Sequence, residues 1–330
     1  MTTMKIVSPG LMTTVQDLGR FGYYHLGIPQ SGAMDNFSAQ AANALVGNDA
    51  NSALLECTYL GPEIEFVEDA VIAVAGATAE IKIDGQVVPA WSRIEVTARS
   101  HLTFGFITAG SRFYIAIRGG IDVPVVLGSR STYALCGLGG FEGRKLAAGD
   151  ELAVFSDQDA EFGGREVPTV TQVPAELIPE FSKEQTVRVL PGLYDHKLTQ
   201  RGRDNLFTKP WSLTPVADRG GLRYEGPGVE WNDDPQPFGA GSDPSNIVDA
   251  GYAVGSIQIP GGTQPIILHR DAVSGGGYAM VGTVISSDMD IVSRAAPGTQ
   301  THFQEVDMDE ALAARRSYNE QLEKLWEVLS

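Results

Sequence analysis

Two short sequence patterns each occur twice in this chain, and this repetition constrains the fold more than any other feature. Val-x-Pro-Gly-Leu begins at Val7 and again at Val189. Val-x-Asp-x-Gly-x-x-x-Tyr begins at Val15 and again at Val216, after a longer connection in the second copy. Patterns that recur in the same order indicate a duplicated structural unit. The sequence therefore predicts two related halves, each of which starts with a similar strand and loop.

Length, charge and cysteine content narrow the class of protein. The 330 residues exceed one ordinary domain and suit two. The net charge of −17 argues against nucleic acid and membrane partners, since both need a basic surface. The first ten residues lack the long apolar core and the cleavage site of a signal peptide, and no run reaches about 18 apolar residues, so a cytoplasmic location is expected. Cys57 and Cys136 are expected to be free, mostly buried thiols.

Short alternating runs bounded by turns predict a mostly β fold. Runs spaced by about 8 to 12 residues indicate a barrel or sandwich, and Asp84-Gly85 between two apolar runs predicts a hairpin. The predicted strands of the first half are 64–66, 71–75, 79–88, 93–97, 101–108, 113–117 and 151–155. Those of the second half are 186–190, 256–259, 265–268, 281–285 and 301–306.

Two helices are predicted between and after these strands. The first runs from Asp35, as N-cap, to about Val46 before Gly47. The second runs from Asp309 to about Leu329, and it either docks on its own domain or faces a partner. Acidic residues and prolines in 156–186 suggest a boundary. The expected division is a first domain at 1–165, a linker at 166–185 and a second domain with the C-terminal helix at 186–330.

Familiar catalytic and metal-binding motifs are missing from the sequence. The histidines and cysteines lack the spacing of zinc ligands, so no metal site is expected. The chain contains neither a G-x-S-x-G elbow nor a Walker-type phosphate loop. A glycine-rich stretch from Ser274 to Tyr278 offers backbone N–H groups for a small anion-binding nest.

Arginine and aspartate recur beside glycines in several loops. The candidates are Asp17, Arg20, His25 and Asp35, then Asp218 and Arg219, then Arg270, Asp271 and Tyr278, and finally Arg130 within Gly128 to Thr132. An arginine fork beside an acid can hold a carboxylate or carbonyl oxygen. Alternatively, such an aspartate caps a turn while the arginine anchors a loop. Turn capping is favoured for the duplicated Asp17 and Asp218, and both alternatives stay open for Arg270 and Asp271.

Several long motifs resemble those of a known family. They are TTVQDLGRFGYYHLGIPQSGAMD at 13–35, LGP at 60–62, RGGIDVPVVLGSRST at 118–132, ADRGGLRYEGP at 217–227, GSIQIPGGTQPIIL at 255–268 and GGYAMVGTVISSDM at 276–289. Together they resemble allophanate hydrolase subunit 2, also called the KipA or PxpC family of biotin-dependent carboxyltransferase domains. The resemblance implies a mostly β protein with two related cyclophilin-like β-barrel domains, a few helices and a C-terminal helix.

The resemblance also implies a function within a heteromeric complex. The expected role is a subunit that moves a carboxyl group from carboxybiotin to a small amide-like or urea-like acceptor. Biotin would be carried on a separate protein, and any ATP would be used by a partner subunit. The implied partners are a KipI-like or PxpB-like subunit and a biotin carrier protein or a LamB/YcsF-like subunit. The alternatives are the PxpC-type subunit of an ATP-dependent 5-oxoprolinase and a non-catalytic KipA-type binding partner.

Roles for individual residues are proposed from what this transfer needs, namely donors for the ureido oxygen and a group that relays the acceptor's proton. Asp271, Tyr278 and Arg270 are the expected catalytic residues. The expected substrate-binding or biotin-binding residues are Ser274, Gly275, Gly276, Gly277, Arg130, Arg20, His25, Asp218 and Arg219. Where the family often reads D-x-Q-T-T-G-G-Y, this chain reads Asp271-Ala-Val-Ser-Gly-Gly-Gly-Tyr278. Val273 and Gly275 thus replace an amide and a hydroxyl, and a substrate group that needed either would lose recognition.

Overall fold

The computed structural model describes residues 2–156, 159 and 165–329, and it confirms a mostly β fold. The chain contacts divide it into two units. The first unit contains residues up to Phe21, Ser31–Phe181 and the chain from Glu320 onward, and the second contains Gly22–Gln30 and Ser182–Asn319. Residues 157, 158 and 160–164 of the predicted acidic boundary segment lie outside the described residues.

Both predicted helices are present, together with two that the sequence pattern did not predict. The helices are α1 (Asn36–Leu45), α2 (Gln200–Thr208), α3 (Met289–Arg294) and α4 (Met308–Val328). Asp35 caps α1 as predicted, because its side chain accepts hydrogen bonds from the backbone N–H of Ser38 at 3.1 Å and from its hydroxyl at 2.6 Å. Gly47, with φ at +73°, follows the end of the helix.

The C-terminal helix buries small residues as well as some of its large apolar ones. Leu312 and Leu322 are only half-buried. Ala311 and Ala314 are buried instead, in a cluster with Ile285 and Val306 of the second unit. Nearer the C-terminus, which belongs to the first unit, Leu325 and Leu329 are buried and Trp326 Nε1 donates to Gln40 Oε1 at 3.0 Å.

The strands of the first unit form two sheets. They are β1 (Thr2–Ser8), β2 (Met12–Gln16), β3 (Leu54–Thr58), β4 (Glu63–Phe66), β5 (Ala70–Thr78), β6 (Ile81–Ile83), β7 (Gln86–Val88), β8 (Arg93–Val96), β9 (His101–Phe104), β10 (Ala109–Ile117), β11 (Ile121–Asp122) and β12 (Glu151–Val154). The seven-stranded sheet has the order β11-β12-β1-β4-β9-β6-β7, and the five-stranded sheet has the order β2-β3-β10-β5-β8.

One hydrophobic core lies between these two sheets. Alternate residues of each strand point toward it, as the period of two in a half-buried strand requires. Ile6 and Ile64 enter it from the seven-stranded sheet, and Val74 and Ile115 enter it from the five-stranded sheet. The predicted hairpin joins β6 and β7, where Asp84 and Gly85 both have positive φ values, +50° and +82°, as a type I′ turn requires.

The second unit contains a closed barrel. Its strands are β13 (Glu184–Pro191), β14 (Trp211–Ala217), β15 (Gly221–Glu225), β17 (Ser256–Gln258), β18 (Ile266–Leu268), β20 (Met280–Val284) and β21 (Gln300–Glu305). They close in the order β13-β20-β17-β18-β15-β14-β21, with β13 and β21 parallel. The barrel interior includes buried Trp211, and Tyr224 packs edge-on against Phe303 at 5.8 Å between ring centroids.

A separate two-stranded ribbon extends from the second unit. Its strands are β16 (Asn246–Gly251) and β19 (Gly275–Tyr278), which pair antiparallel. The sequence predicted neither strand, because β19 has three consecutive glycines and glycine is rare within strands.

In the ranges that the structure describes, no helix is both long and apolar enough to cross a membrane.

Cys57 and Cys136 are both free thiols. Cys57 is buried as expected, and burial raises the pKa of its thiol. The prediction was wrong for Cys136, which is exposed on a short turn at residues 134–136.

Candidate functional site

In the first unit, the loop after β2 is fastened to the Gly128–Thr132 loop by one buried carboxylate. The Ser129 and Ser131 hydroxyls donate to Asp17 Oδ1 at 2.7 and 2.5 Å. The Arg130 N–H donates to Asp17 Oδ2 at 2.6 Å, and the Gly19 N–H donates to Oδ1 at 2.8 Å. Asp17 is only 4% exposed. Its carboxylate therefore caps its own turn through the Gly19 N–H and holds the Ser129–Ser131 loop through its other three contacts.

The two arginines of these loops have different environments. Arg20 is 1% exposed, and its guanidinium donates to the carbonyl oxygens of Ser131 at 2.8 Å and Val126 at 3.3 Å. It therefore anchors the loop. Arg130 is half-buried, and its guanidinium lies over the Phe155 ring at 5.1 Å from the centroid. The hydroxyls that flank Arg130 in the sequence do not act beside it, because Ser129 and Ser131 both donate to Asp17.

In the second unit, the corresponding loops are joined by an ion pair. Arg219 Nε donates to Asp271 Oδ2 at 2.8 Å, and Nη2 donates to Oδ1 at 3.2 Å. The side chains are 10% and 12% exposed, so water screens this bidentate pair only weakly. The Asp271 N–H also donates to the Arg219 carbonyl oxygen at 2.8 Å. The pair thus fixes the 269–271 turn against the Asp218 loop.

The duplicated Asp218 repeats the turn-capping part of this arrangement. Its Oδ1 accepts hydrogen bonds from the N–H groups of Gly220 at 2.8 Å and Gly221 at 3.0 Å. Asp218 is exposed, in contrast to Asp17. Its contacts again match a turn cap.

Arg270, on the same turn, is held through both its backbone and its side chain. Its N–H donates to the Nδ1 atom of buried His269 at 2.9 Å, and the other nitrogen of that ring lies 3.3 Å from the Met289 carbonyl oxygen. Arg270 Nη1 donates to Gln30 Oε1 at 3.4 Å. Gln30 ends the segment Gly22–Gln30, which belongs to the second unit. His25 lies in this segment on a short turn at Tyr24–Leu26 and is exposed.

The glycine-rich stretch is a strand rather than a nest. Gly275, Gly276 and Gly277 belong to β19, and none of them has a positive φ. An anion nest needs a left-handed residue, so the predicted nest is absent at these positions. Ser274, just before the strand, offers its carbonyl oxygen to the Tyr252 N–H at 2.9 Å.

Tyr278 ends the ribbon and is itself clamped by a second tyrosine. The Tyr278 N–H donates to the Tyr252 hydroxyl at 2.7 Å, and that hydroxyl donates to the Tyr278 carbonyl oxygen at 2.9 Å. Tyr252 is 3% exposed, and burial raises the pKa of its phenol. The Tyr278 side chain is 43% exposed. The clamp therefore presents one accessible phenol at a fixed backbone position.

The predicted site residues thus separate into two groups. In the second unit, Arg219 pairs with Asp271 and Arg270 lies on the same turn, whereas Tyr278 lies on the ribbon strand that follows in the chain. His25 and Asp218 are also in the second unit. Arg20 and Arg130 belong to the first unit, where they lie on loops fastened by Asp17.

Two residues of the site carry no signal in the sequence. Gln30 precedes Arg270 by 240 positions, and only the fold shows their contact. Tyr252 follows a glycine in a stretch without strand or helix periodicity, so no local signal marked it. Among the described residues, no group of three or more His, Cys, Asp or Glu side chains is placed to hold a metal ion.

Comparison with known proteins gives several matches over nearly the whole chain. The C component of the 5-oxoprolinase of Escherichia coli is 34% identical over 323 residues, which cover 98% of this chain and 97% of that protein. The urea amidolyase of Saccharomyces cerevisiae is 34% identical over 330 residues. That match covers 98% of this chain but only 18% of the amidolyase, so the chain spans a minor part of this longer relative.

Solved structures and family models agree with these matches. The crystal structure of Kluyveromyces lactis urea carboxylase superimposes with a TM-score of 0.91 at 32% identity, over 98% of this chain and 29% of that protein. The model described as "Carboxyltransferase domain, subdomain A and B" matches residues 26–305. The resemblance inferred from the sequence motifs is confirmed, and the chain belongs to the family of the carboxyltransferase domain, subdomain A and B.

Proposed function

We propose that this chain is a subunit of a biotin-dependent carboxyltransferase that acts on a small amide-like or urea-like acceptor. The observation that carries the proposal is the 269–271 turn of the second unit, in a chain of the carboxyltransferase family. The bidentate Arg219–Asp271 pair fixes this turn beneath Arg270, and both paired side chains are largely buried. A preorganised cationic group beside an ordered turn suits chemistry in which an oxygen gains negative charge.

Asp271 has a positioning role in this proposal. Both of its oxygens accept hydrogen bonds from Arg219, which uses two of the roughly four acceptor positions of a carboxylate. The carboxylate thereby holds the turn. Arg270, which is 8% exposed and donates to Gln30 Oε1 at 3.4 Å, is the cation that the proposal assigns to a ligand oxygen. The Tyr278 phenol, which is more exposed than these groups, can donate to or accept from the acceptor's nitrogen.

The residues of the second unit are compatible with a ureido ligand. A ureido group is planar and has one carbonyl oxygen as its main acceptor, and the Arg270 guanidinium and Tyr278 hydroxyl are donors. Gly275 to Gly277 carry no side chains, and a Cβ on Gly276 would lie 3.1 Å from the Tyr252 ring. Carboxylated biotin, brought by a separate carrier protein, supplies the carboxyl group. Arg270 would hold the ureido oxygen, and Tyr278 would relay the proton of the acceptor nitrogen to the biotin nitrogen that the carboxyl group leaves.

The proposal is tested with the chain purified together with its natural partner subunits. Transfer of labelled bicarbonate to urea, acetamide or 5-oxoproline is measured with ATP, with and without avidin. We expect avidin-sensitive transfer, and a loss of about 10²- to 10³-fold in kcat on Arg270→Ala. Arg201→Ala, which removes an exposed arginine from α2, is the matched control and keeps full activity. The proposal fails if no biotinylated protein copurifies and ATP turnover is independent of bicarbonate.

A second candidate function is a 5-oxoprolinase component, in which ATP activates a lactam for ring opening without biotin. The observation that favours it is the match to the C component of the Escherichia coli 5-oxoprolinase over 97% of that relative's length. Turnover of 5-oxoproline by the copurified complex, unchanged by avidin, would select this function. The Arg270→Ala variant tests the same site under both functions, because a lactam carbonyl and a ureido carbonyl both present an oxygen to a donor.

A further inference from the structure

The imidazole of His269 has no role in the function proposed above, although it directly precedes Arg270 on the 269–271 turn. Its side chain is buried, with 0% exposure. A neutral imidazole has one N–H donor and one acceptor nitrogen, so its two positions are not equivalent. The hydrogen-bond partners of the two ring nitrogens therefore show which nitrogen carries the proton.

Both ring nitrogens of His269 have a partner whose own role is fixed. Nδ1 lies 2.9 Å from the backbone nitrogen of Arg270, and a backbone N–H can only donate. Nε2 lies 3.3 Å from the Met289 carbonyl oxygen, which can only accept. The two contacts are satisfied together by one form of the ring, the neutral tautomer with its proton on Nε2. A proton on Nδ1 would point at the Arg270 N–H.

The Met289 end of this bridge is attached to the barrel. Met289 is the first residue of α3, and Asp288, which precedes it, is bound by Arg188 of β13. Asp288 Oδ2 accepts from the Arg188 backbone N–H at 2.8 Å and from Nε at 3.0 Å, and Oδ1 accepts from Nη2 at 2.6 Å. The Asp288 side chain is 1% exposed. Three charge-assisted contacts thus hold the start of α3 against the strand.

The turn is held on another side by the connection between β14 and β15. The His269 N–H donates to the Gly220 carbonyl oxygen at 3.0 Å. The Asp271 N–H donates to the Arg219 carbonyl oxygen at 2.8 Å. Between these two positions, the Arg270 N–H is directed at the imidazole instead. The histidine ring therefore fixes the one peptide N–H of the turn that this connection does not bind.

We propose that His269 is a positioning residue for Arg270. As the Nε2–H tautomer it connects α3 to the turn and sets the peptide from which the Arg270 side chain projects. A displacement of about 1 Å at a catalytic group can cost about 10²-fold in rate, so loss of this contact has a measurable consequence. The effect on catalysis rests on the proposed function of Arg270, whereas the tautomer and the contact to the Arg270 N–H do not.

The tautomer is measured by NMR on the full chain labelled with ¹⁵N-histidine. His269→Asn identifies the His269 signals among those of the five histidines. We expect the shift of an unprotonated nitrogen at Nδ1 and that of a protonated nitrogen at Nε2. Exposed His196 is the internal reference, because solvent lets its two tautomers exchange. A protonated Nδ1 in His269, or averaging like that of His196, would overturn the proposal.

Two substitutions separate the two contacts of the ring. In His269→Asn, the side-chain oxygen replaces Nδ1 and can accept from the Arg270 N–H. In His269→Gln, the amide NH2 replaces Nε2 and can donate to the Met289 carbonyl oxygen, but the Arg270 N–H loses this acceptor. In the copurified complex we expect His269→Gln to lower kcat about tenfold with little change in KM, and His269→Asn to stay within about threefold of the wild type. Hydrogen exchange at the Arg270 amide should be fastest in His269→Gln.

A double-mutant cycle distinguishes positioning from a general loss of stability. In the Arg270→Ala background, His269→Gln should not lower kcat further, because the residue that it positions is absent. The same loss in both backgrounds, or equal kcat for His269→Asn and His269→Gln, would contradict the proposal. His302→Gln changes a histidine of the same unit whose side chain is 40% exposed, and it should keep wild-type kcat. If the complex neither transfers bicarbonate nor turns over 5-oxoproline, the proposed function fails, while the tautomer and the exchange rates still decide this inference.

Discussion

The Asp17 loop of the first unit and the Asp218 loop of the second share one sequence pattern but attach to their neighbouring loops differently. Asp17 is buried and accepts four hydrogen bonds, three of them from the Ser129–Ser131 loop. Asp218 is exposed and accepts only from the glycines that follow it. There the connection is made by Arg219 and Asp271. The same turn is thus fastened by neutral donors in one unit and by an ion pair in the other.

This difference shows which duplicated residues are scaffold. The turn-capping aspartate is common to both units, and so is the glycine of the earlier pattern. A Cβ on Gly10 would lie 2.3 Å from the Leu60 carbonyl oxygen, and a Cβ on Gly192 would lie 2.3 Å from that of Met280. Both positions therefore require glycine for the same close backbone approach. Arg130 and Arg270, by contrast, are not part of the two duplicated patterns.

The largest expected effect comes from removing Asp17, the buried one of the two aspartates in the repeated pattern. Asp17→Ala leaves the Ser129 and Ser131 hydroxyls and two backbone N–H groups without their acceptor in a buried loop. We expect a loss of about 3 kcal/mol or more in the free energy of unfolding. Asp218→Ala should cost less than about 1 kcal/mol, because water can replace an exposed turn cap. Urea denaturation of both variants measures the difference, and equal losses would contradict the assigned roles.

The sequence was sufficient for the features that depend on local chemistry. The Asp35 cap, the Asp84-Gly85 hairpin and most strands follow from turn residues and from alternation, which act over a few positions. The sequence predicted a nest at Gly275 to Gly277, where the structure has a strand. Three glycines have no side chains that could alternate, and pairing with β16 decides their conformation. Turn chemistry also suggested how Asp17 and Asp218 would be used.

The contacts of the candidate site could not be predicted from the sequence. Its residue types were recognised, but their partners lie far apart in the chain. Arg219 and Asp271 are separated by 52 positions. The sequence placed hydroxyls beside Arg130, whereas the fold turns those hydroxyls toward Asp17 and Arg130 toward Phe155. Residues on one short loop can face opposite directions, and composition alone does not contain that information.

A smaller effect is expected for the ion pair that replaces the Asp17 network in the second unit. A double-mutant cycle with Arg219→Ala and Asp271→Ala should give a coupling free energy of about 2 kcal/mol, since the pair is bidentate and poorly screened. The control is the pair of Arg144 and Glu142, at 2.6 Å but with side chains 39% and 66% exposed. Its coupling should remain below about 1 kcal/mol and fall with added salt. A coupling near zero for Arg219 and Asp271 would mean that backbone contacts alone fix the turn.

The smallest effect concerns the clamp on the ribbon, which belongs to the second unit. Tyr252→Phe removes both hydrogen bonds to the Tyr278 backbone, so we expect a loss of about 1 kcal/mol and faster hydrogen exchange at the Tyr278 amide. Tyr278→Phe is the matched control, because it also removes a phenol but leaves the clamp intact, and its exchange should match the wild type.

The same clamp predicts the direction of a pH dependence. Burial raises the pKa of Tyr252 above its ordinary value of about 10, so folding favours the neutral phenol. The stabilisation is fully present below the pKa of the unfolded state and is lost as the pH rises through the folded-state pKa, since ionisation removes the O–H that donates to Tyr278. The difference in unfolding free energy between wild type and Tyr252→Phe should therefore shrink as the pH is raised above about 10. A difference that stays constant to higher pH would show that the two tyrosines are coupled by packing rather than by the hydroxyl.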